Sequence, residues 1–170
     1  MTVHREHIRR LTVTALMTAM ILVTTAYVLH IPVGTGGGYI HLGDTLVYLA
    51  AAMLPCPYAA VAAALGGALA DVLTGAAIWA LPTAVIKALM VLPFTAKDKH
   101  LLCRRNRLAP VLSGLIGMGG YALAGAVLYG SVAGAVAELL PNGMQAVACG
   151  ALFAVAAAAL DRVPGGRFWQ

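Results

Sequence analysis

Long apolar blocks separated by short polar interruptions dominate the chain. Leu11 to Leu29, Thr45 to Ala70, Val72 to Ile86 and Leu108 to Ala137 contain no Asp, Glu, Lys or Arg. One crossing of a bilayer's hydrocarbon core takes roughly 20 apolar residues. Within lipid the backbone must satisfy its own polar groups, which leaves helices or a closed barrel. The blocks are continuous and alanine-rich rather than alternating, so they predict helices. Helix one is expected over Leu11–Leu29, ended by His30, Pro32 and a run of glycines. Helix two is expected from near Asp44 to Leu54, before the tight turn of Pro55-Cys56-Pro57. Helix three follows from Tyr58 to Leu73. Helix four opens at Pro82, a residue suited to a first helical turn, and runs to Phe94. Helix five is expected over Leu108–Tyr129. After a linker and Pro141, helix six is expected over Asn142–Leu160.

Composition supports a membrane location. The sequence is 61% hydrophobic and 10% charged, against about 25% charged in a soluble domain. The fold class is therefore an all-α membrane protein, a single integral-membrane domain over residues 1–170. The basic start and apolar run at the N-terminus resemble a secretory signal. That run is long for a signal, and the rest of the chain is membrane-like too, so it reads as a first transmembrane helix.

Charge gives an orientation. With six crossings and the N-terminus inside, Arg5, Arg9, Arg10, Lys97, Lys99, Arg104, Arg105, Arg107, Arg162 and Arg167 all fall on the cytoplasmic side. The outer loops hold no Lys or Arg, as the positive-inside rule requires. Residues 1–10 and 161–170 are then cytoplasmic tails, 97–107 a basic cytoplasmic loop and 30–43 an outer loop. The cell (plasma) membrane is the expected location, with the chain passing through several times.

The outer loop opens into GTGGGYIHLGD, residues 34–44. It lacks the GK[ST] ending of a phosphate-binding loop, and it lies on the side away from ATP. It reads as a flexible outer loop. Cys56, Cys103 and Cys149 show no metal-ligand spacing and are expected as free thiols, with Cys149 buried. No metal or cofactor is expected.

Ionisable side chains are costly in a bilayer and usually face a partner or a cavity. Asp71 and Lys87 lie eight positions before and after Trp79, so a helical hairpin brings them to similar depth, where they could pair. They read either as a structural ion pair or as organisers of a substrate site. Asp44 reads as an N-cap or as a carboxylate at the mouth of an outer cavity, beside His41 and Tyr48. Tyr39, Tyr48 and Trp79 fit an interfacial aromatic belt, or a surface on which a flat heterocycle could stack. Asn142 and Gln145, at the expected start of helix six, could cap it or hydrogen-bond a polar ligand. All these groups fall at the outer ends, and no comparable cluster is expected at the inner ends. Ala15 and Ala19 have the small-xxx-small spacing that permits close helix approach.

GYIHLGDTLVYLAA, the ALADVLTG–IWALPTAVIKALM hairpin and LPNGMQAV together resemble the substrate-binding S components of energy-coupling factor (ECF) vitamin transporters. The resemblance covers nearly the whole chain and is to the riboflavin-type branch or a related uncharacterised branch. It implies a six-helix bundle that binds a small water-soluble vitamin or precursor from outside. Asp44, Tyr48, Asp71, Trp79, Lys87, Asn142 and Gln145 would form the site. Gly36, Gly37, Gly38, Tyr39 and His41 would form a loop that opens and closes over it. The partners implied are a transmembrane coupling subunit, which Ala15 and Ala19 would meet, and two cytoplasmic ATPases. The loaded protein would topple in the bilayer as ATP is used. No nucleic-acid partner is expected. An autonomous secondary transporter, with Asp71 and Lys87 as a proton relay, is the alternative. The absence of an internal repeat counts against it. The chain lacks HExxH and GxSxG motifs, so an intramembrane enzyme is not expected.

Overall fold

The computed structural model describes residues 2–28, 31–33 and 38–163. Six α-helices carry the fold: α1 (Thr2–Tyr27), α2 (Gly43–Met53), α3 (Cys56–Leu73), α4 (Ala80–Met90), α5 (Arg104–Tyr129) and α6 (Val132–Asp161). A small antiparallel hairpin joins α1 to α2, with β1 (Ile31–Val33) pairing β2 (Gly38–Ile40) in the register Ile31 to Ile40 and Val33 to Gly38. Part of the glycine-rich stretch expected as an open loop is thus strand-paired.

Four helices, α1, α3, α5 and α6, are long and apolar enough to cross a membrane. At 1.5 Å per residue, α6 with its 30 residues reaches about 45 Å. In contrast, α2 and α4 have 11 residues each and reach only about 16 Å, roughly half a hydrocarbon core. The six expected helices are thus present as four long ones and two short ones.

Several boundaries also move, for local reasons. α1 begins at Thr2, so residues 2–10 continue the helix rather than forming an irregular tail. Similarly α5 starts at Arg104 and takes in most of the basic run. The largest correction is at α6, which starts ten residues before the expected Asn142. Gly130, at φ +62°, ends α5. Ser131 then caps α6, its Oγ accepting from Gly134 N at 3.2 Å. Pro141 therefore lies inside α6. Asn142 is no cap: its Nδ2 donates to Glu138 O at 2.8 Å, beside the break that the proline makes in the backbone ladder.

The polarity of the bundle is inverted relative to a soluble protein. Large apolar side chains point outward, with Val132 80% and Leu81 and Val147 each 76% exposed. Several buried positions are polar, among them Asp44, Lys87, Asn106, Ser113 and Gln145. An apolar solvent around the bundle accounts for this pattern. Helix contact then relies on close packing rather than on hydrophobic burial. A Cβ on Gly66 of α3 would lie 2.7 Å from Ile21 Cγ2 and 3.0 Å from Thr18 O on α1. Gly125 and Gly134 bring α5 and α6 to backbone contact in the same way, a Cβ on Gly125 falling 2.7 Å from Gly134 O.

The end of the bundle where α4 leads into α5, expected to lack polar clusters, holds one. Asn106, fully buried, takes Thr95 N at 2.8 Å and donates Nδ2 to Thr95 O and Leu101 O. Asp161 at the end of α6 accepts from Leu101 N at 2.8 Å and Leu102 N at 3.1 Å. Arg105 donates to Pro93 O and Leu92 O at the end of α4. These bonds fasten the segment between α4 and α5 under the bundle.

Candidate functional site

The two short helices carry the buried charges, Asp44 in the first turn of α2 and Lys87 in the last turn of α4. The helix start of α2 is fixed at Leu42, so Asp44 lies in the first turn, where its side chain does not cap. It turns inward instead. Lys87 Nζ forms a buried ion pair with Asp44 Oδ1, and Gln145 Nε2 of α6 donates to Asp44 Oδ2 at 2.7 Å. Lys87 and Asp44 are 1% and 3% exposed. The expected alignment of Asp71 with Lys87 does not produce the ion pair. Lys87 reaches across to α2, 43 positions away in sequence. Asp71 is itself buried near the end of α3.

His41 completes the arrangement. Its backbone N–H donates to Gln145 Oε1 at 2.9 Å, and its Nδ1 accepts from Gly43 N at 3.0 Å. The bond from His41 N and the bond to Asp44 Oδ2 fix which way the Gln145 amide points, oxygen to the hairpin and nitrogen to Asp44, while the bond from Gly43 N makes Nδ1 the acceptor of the His41 ring. A neutral His41 ring then carries its proton on Nε2. Gly43 is required here, since a Cβ would sit 1.9 Å from Thr25 Oγ1. Cys149, one turn after Gln145, is buried as expected, and its Sγ lies 3.6 Å from His41 O. The end of the hairpin, the start of α2, the last turn of α4 and the middle of α6 are thus tied through one polar cluster.

Aromatic residues sit on either side. Tyr48, fully buried, stacks on Phe94 at 5.3 Å and meets Phe153 edge-on at 6.1 Å. Trp79, in the 3-10 turn Ala77–Trp79 before α4, is 5% exposed and lies 6.0 Å from both Tyr121 and Tyr129. Neither Tyr48 nor Trp79 belongs to an interfacial belt, because both are inside the bundle. Tyr39 lies on β2, paired with Pro32. Gly36 and Gly37 fall outside the described residues, as does the opening and closing expected of them.

Two polar residues here had no sequence signal of their own. Tyr121 donates its hydroxyl to Thr83 Oγ1 at 3.2 Å, and its ring lies 5.4 Å from Lys87 Nζ. Thr83 precedes Lys87 by one helical turn and so shares its face. That spacing was visible, but a lone threonine in an apolar helix is unremarkable without its partner. Asn142 is set apart from the cluster, its side chain engaged by Glu138 at Oε2 as well as O. Among the described residues no group of His, Cys, Asp and Glu could hold a metal ion, and the three cysteines are free thiols.

A relative from Pyrococcus woesei, described as an "Uncharacterized protein in gap 3'region", is 35% identical over 125 residues, 72% of this chain and 82% of that protein. Residues 5–162 match the model of the family described as "ECF-type riboflavin transporter, S component", with the hairpin, α2 to α6, nearly all of α1 and the buried cluster inside the match. The chain therefore belongs to the ECF-type riboflavin transporter S-component family.

Proposed function

We propose that this protein is the substrate-binding subunit of an ECF-type importer. It takes a small, water-soluble vitamin or precursor from outside and delivers it inward with a coupling subunit and two ATPases. The carrying observation is the Lys87–Asp44–Gln145–His41 cluster, buried between the start of α2, the last turn of α4 and α6. Non-helical backbone at membrane depth is tolerated where protein buries it or where it lines a watery cavity. The hairpin and the turn before α4 occupy the depth that α2 and α4 leave unspanned. A polar ligand entering there meets a cation, a carboxylate and an amide, and the wall of Trp79, Tyr121 and Tyr129 suits a flat heterocycle.

In this reading the chain passes the plasma membrane six times with both termini in the cytoplasm, α2 and α4 being completed by the hairpin and the turn. The distribution of Lys and Arg supports that orientation. Residues 97–107 then face the cytoplasm and residues 30–43 the outside. Lys87, Asp44, Asp71, Trp79 and Gln145 are the contacts expected for ligand. Tyr48 and Asn142 are expected to act from behind them, and Gly36 to His41 to cover the entrance. The pairing of Lys87 with Asp44 leaves no support for an Asp71–Lys87 proton relay, so the autonomous transporter is not favoured.

Native mass spectrometry of the detergent-purified protein tests the proposal. A co-purified heterocycle is expected, absent from Lys87→Met protein that still inserts and melts cooperatively. A ligand retained equally by Lys87→Met and Asp44→Asn would overturn the assignment of the site.

A further inference from the structure

A concavity lies at the end of the molecule away from the hairpin. It has a volume of about 790 Å³ and opens between the start of α1, the α2–α3 turn and the segment after α4. Its floor is apolar, formed by Leu54, Val91 and Phe94, each 6% exposed or less. Its rim carries Arg10, Lys97 and Arg105, and no Asp or Glu lines it.

The cations are placed rather than merely collected. Arg105 is held by bonds from Nε to Pro93 O at 2.7 Å and from Nη2 to Leu92 O at 2.9 Å. Those bonds fix the guanidinium and leave Nη1 for another acceptor. Glu6 and Asp161 do not neutralise the rim. Glu6 meets Arg10 at 3.7 Å in an exposed pair, which is worth little. Both oxygens of Asp161 are taken by Leu101 N and Leu102 N.

Depth identifies the occupant. Arg10 directly precedes the charge-free run from Leu11, and Arg105 stands three residues before the run from Leu108. Both therefore lie at the border between hydrocarbon and water, the level of lipid phosphates. A cleft with an apolar floor and a cationic rim at that level matches an amphiphile with an anionic head. We propose that this cleft binds the phosphodiester headgroup of an anionic membrane lipid, its acyl chains running along the apolar side of the bundle. The leaflet follows from the orientation proposed above, but the site itself does not depend on it.

The test uses delipidated full-length protein titrated with phosphatidylglycerol, phosphatidylcholine and inorganic phosphate, with bound lipid counted by native mass spectrometry. Phosphatidylglycerol is expected to be retained over phosphatidylcholine. The double variant Arg10→Gln/Lys97→Gln is expected to weaken that retention by about tenfold, with melting temperature and vitamin-like ligand unchanged. Arg105 is left intact because it holds the end of α4. Equal retention of the two lipids would overturn the proposal, as would unchanged retention in the variant. Displacement of the lipid by inorganic phosphate at similar concentration would identify a free-anion site instead. Loss of association with the ATPase module, with lipid binding untouched, would make the cleft a protein-docking face. Failure of the vitamin-binding proposal would leave these lipid readouts intact, so the two can be judged separately.

Discussion

A lysine fully enclosed among apolar helices must have its charge answered, and here the answer is Asp44 rather than the nearer-in-sequence Asp71. Removing one member strands the other. Lys87→Met is expected to destabilise the protein by about 3–5 kcal/mol, because Asp44 would keep a buried charge without its counterion. Asp44→Asn strands the lysine in turn. The double variant is expected to cost less than the sum, by about 0.5–3 kcal/mol, as contacting residues do. Denaturant or thermal melts in detergent measure both quantities, and strict additivity would show that the two charges act independently. Lys87 was legible in the sequence because a charge inside an apolar run stands out. Its partner was not, since the hairpin argument links only neighbours along the chain, whereas α2 is brought to α4 by tertiary packing. Gln145 was marked as polar, but its bonds to Asp44 and to His41 N span 101 and 104 positions, beyond any periodicity.

Elements were easier to read than their ends. The apolar blocks located all six helices, because lipid demands long uninterrupted apolar stretches. Their boundaries shifted wherever a local device outweighed the proline or charge signal. Gly130-Ser131 is a complete stop and start, and it set α6 ten residues earlier than Pro141 suggested. Half-length α2 was legible from Asp44 and the Pro55-Cys56-Pro57 turn, whereas the start of α4 two residues before Pro82 was not. Glycines provide a test of how the helices meet. Gly66→Ala is expected to cost about 1–3 kcal/mol, since the added methyl meets Thr18 O, which cannot rotate away. Gly119→Ala is expected to be neutral or slightly stabilising, because nothing lies within 4 Å of its Cβ position. Equal melting shifts for the two would mean that α1 and α3 are not in close contact. At the end where α4 leads into α5, Asn106→Ala removes all three bonds that the side chain makes with Thr95 and Leu101. Hydrogen exchange should rise at Thr95 N while α3 and α6 stay protected. Unchanged exchange would mean that Asp161 and Arg105 alone fasten the segment.

On the scale of the whole molecule, the polar cluster inside α2, α4 and α6 and the outward face of α1 lie on different surfaces, and the two can be separated. Ala15 and Ala19 are exposed on α1, while Met17 and Ile21 turn into the core against α3. Two small residues one turn apart on an otherwise leucine- and methionine-rich face form a shallow groove along the helix. A helix of another subunit could approach there more closely than anywhere else on that face. Nothing in the bundle depends on the groove being narrow, so filling it should not unfold the protein. The variant Ala15→Leu/Ala19→Leu is therefore expected to keep its melting temperature and its bound ligand. It is expected to lose co-purification with the coupling subunit and ATPases, and with it uptake by whole cells. Intact co-purification would remove α1 as the docking helix. Loss of ligand together with partner would instead mean that α1 helps to shape the binding site, through Thr25 and Gly43 where it meets α2.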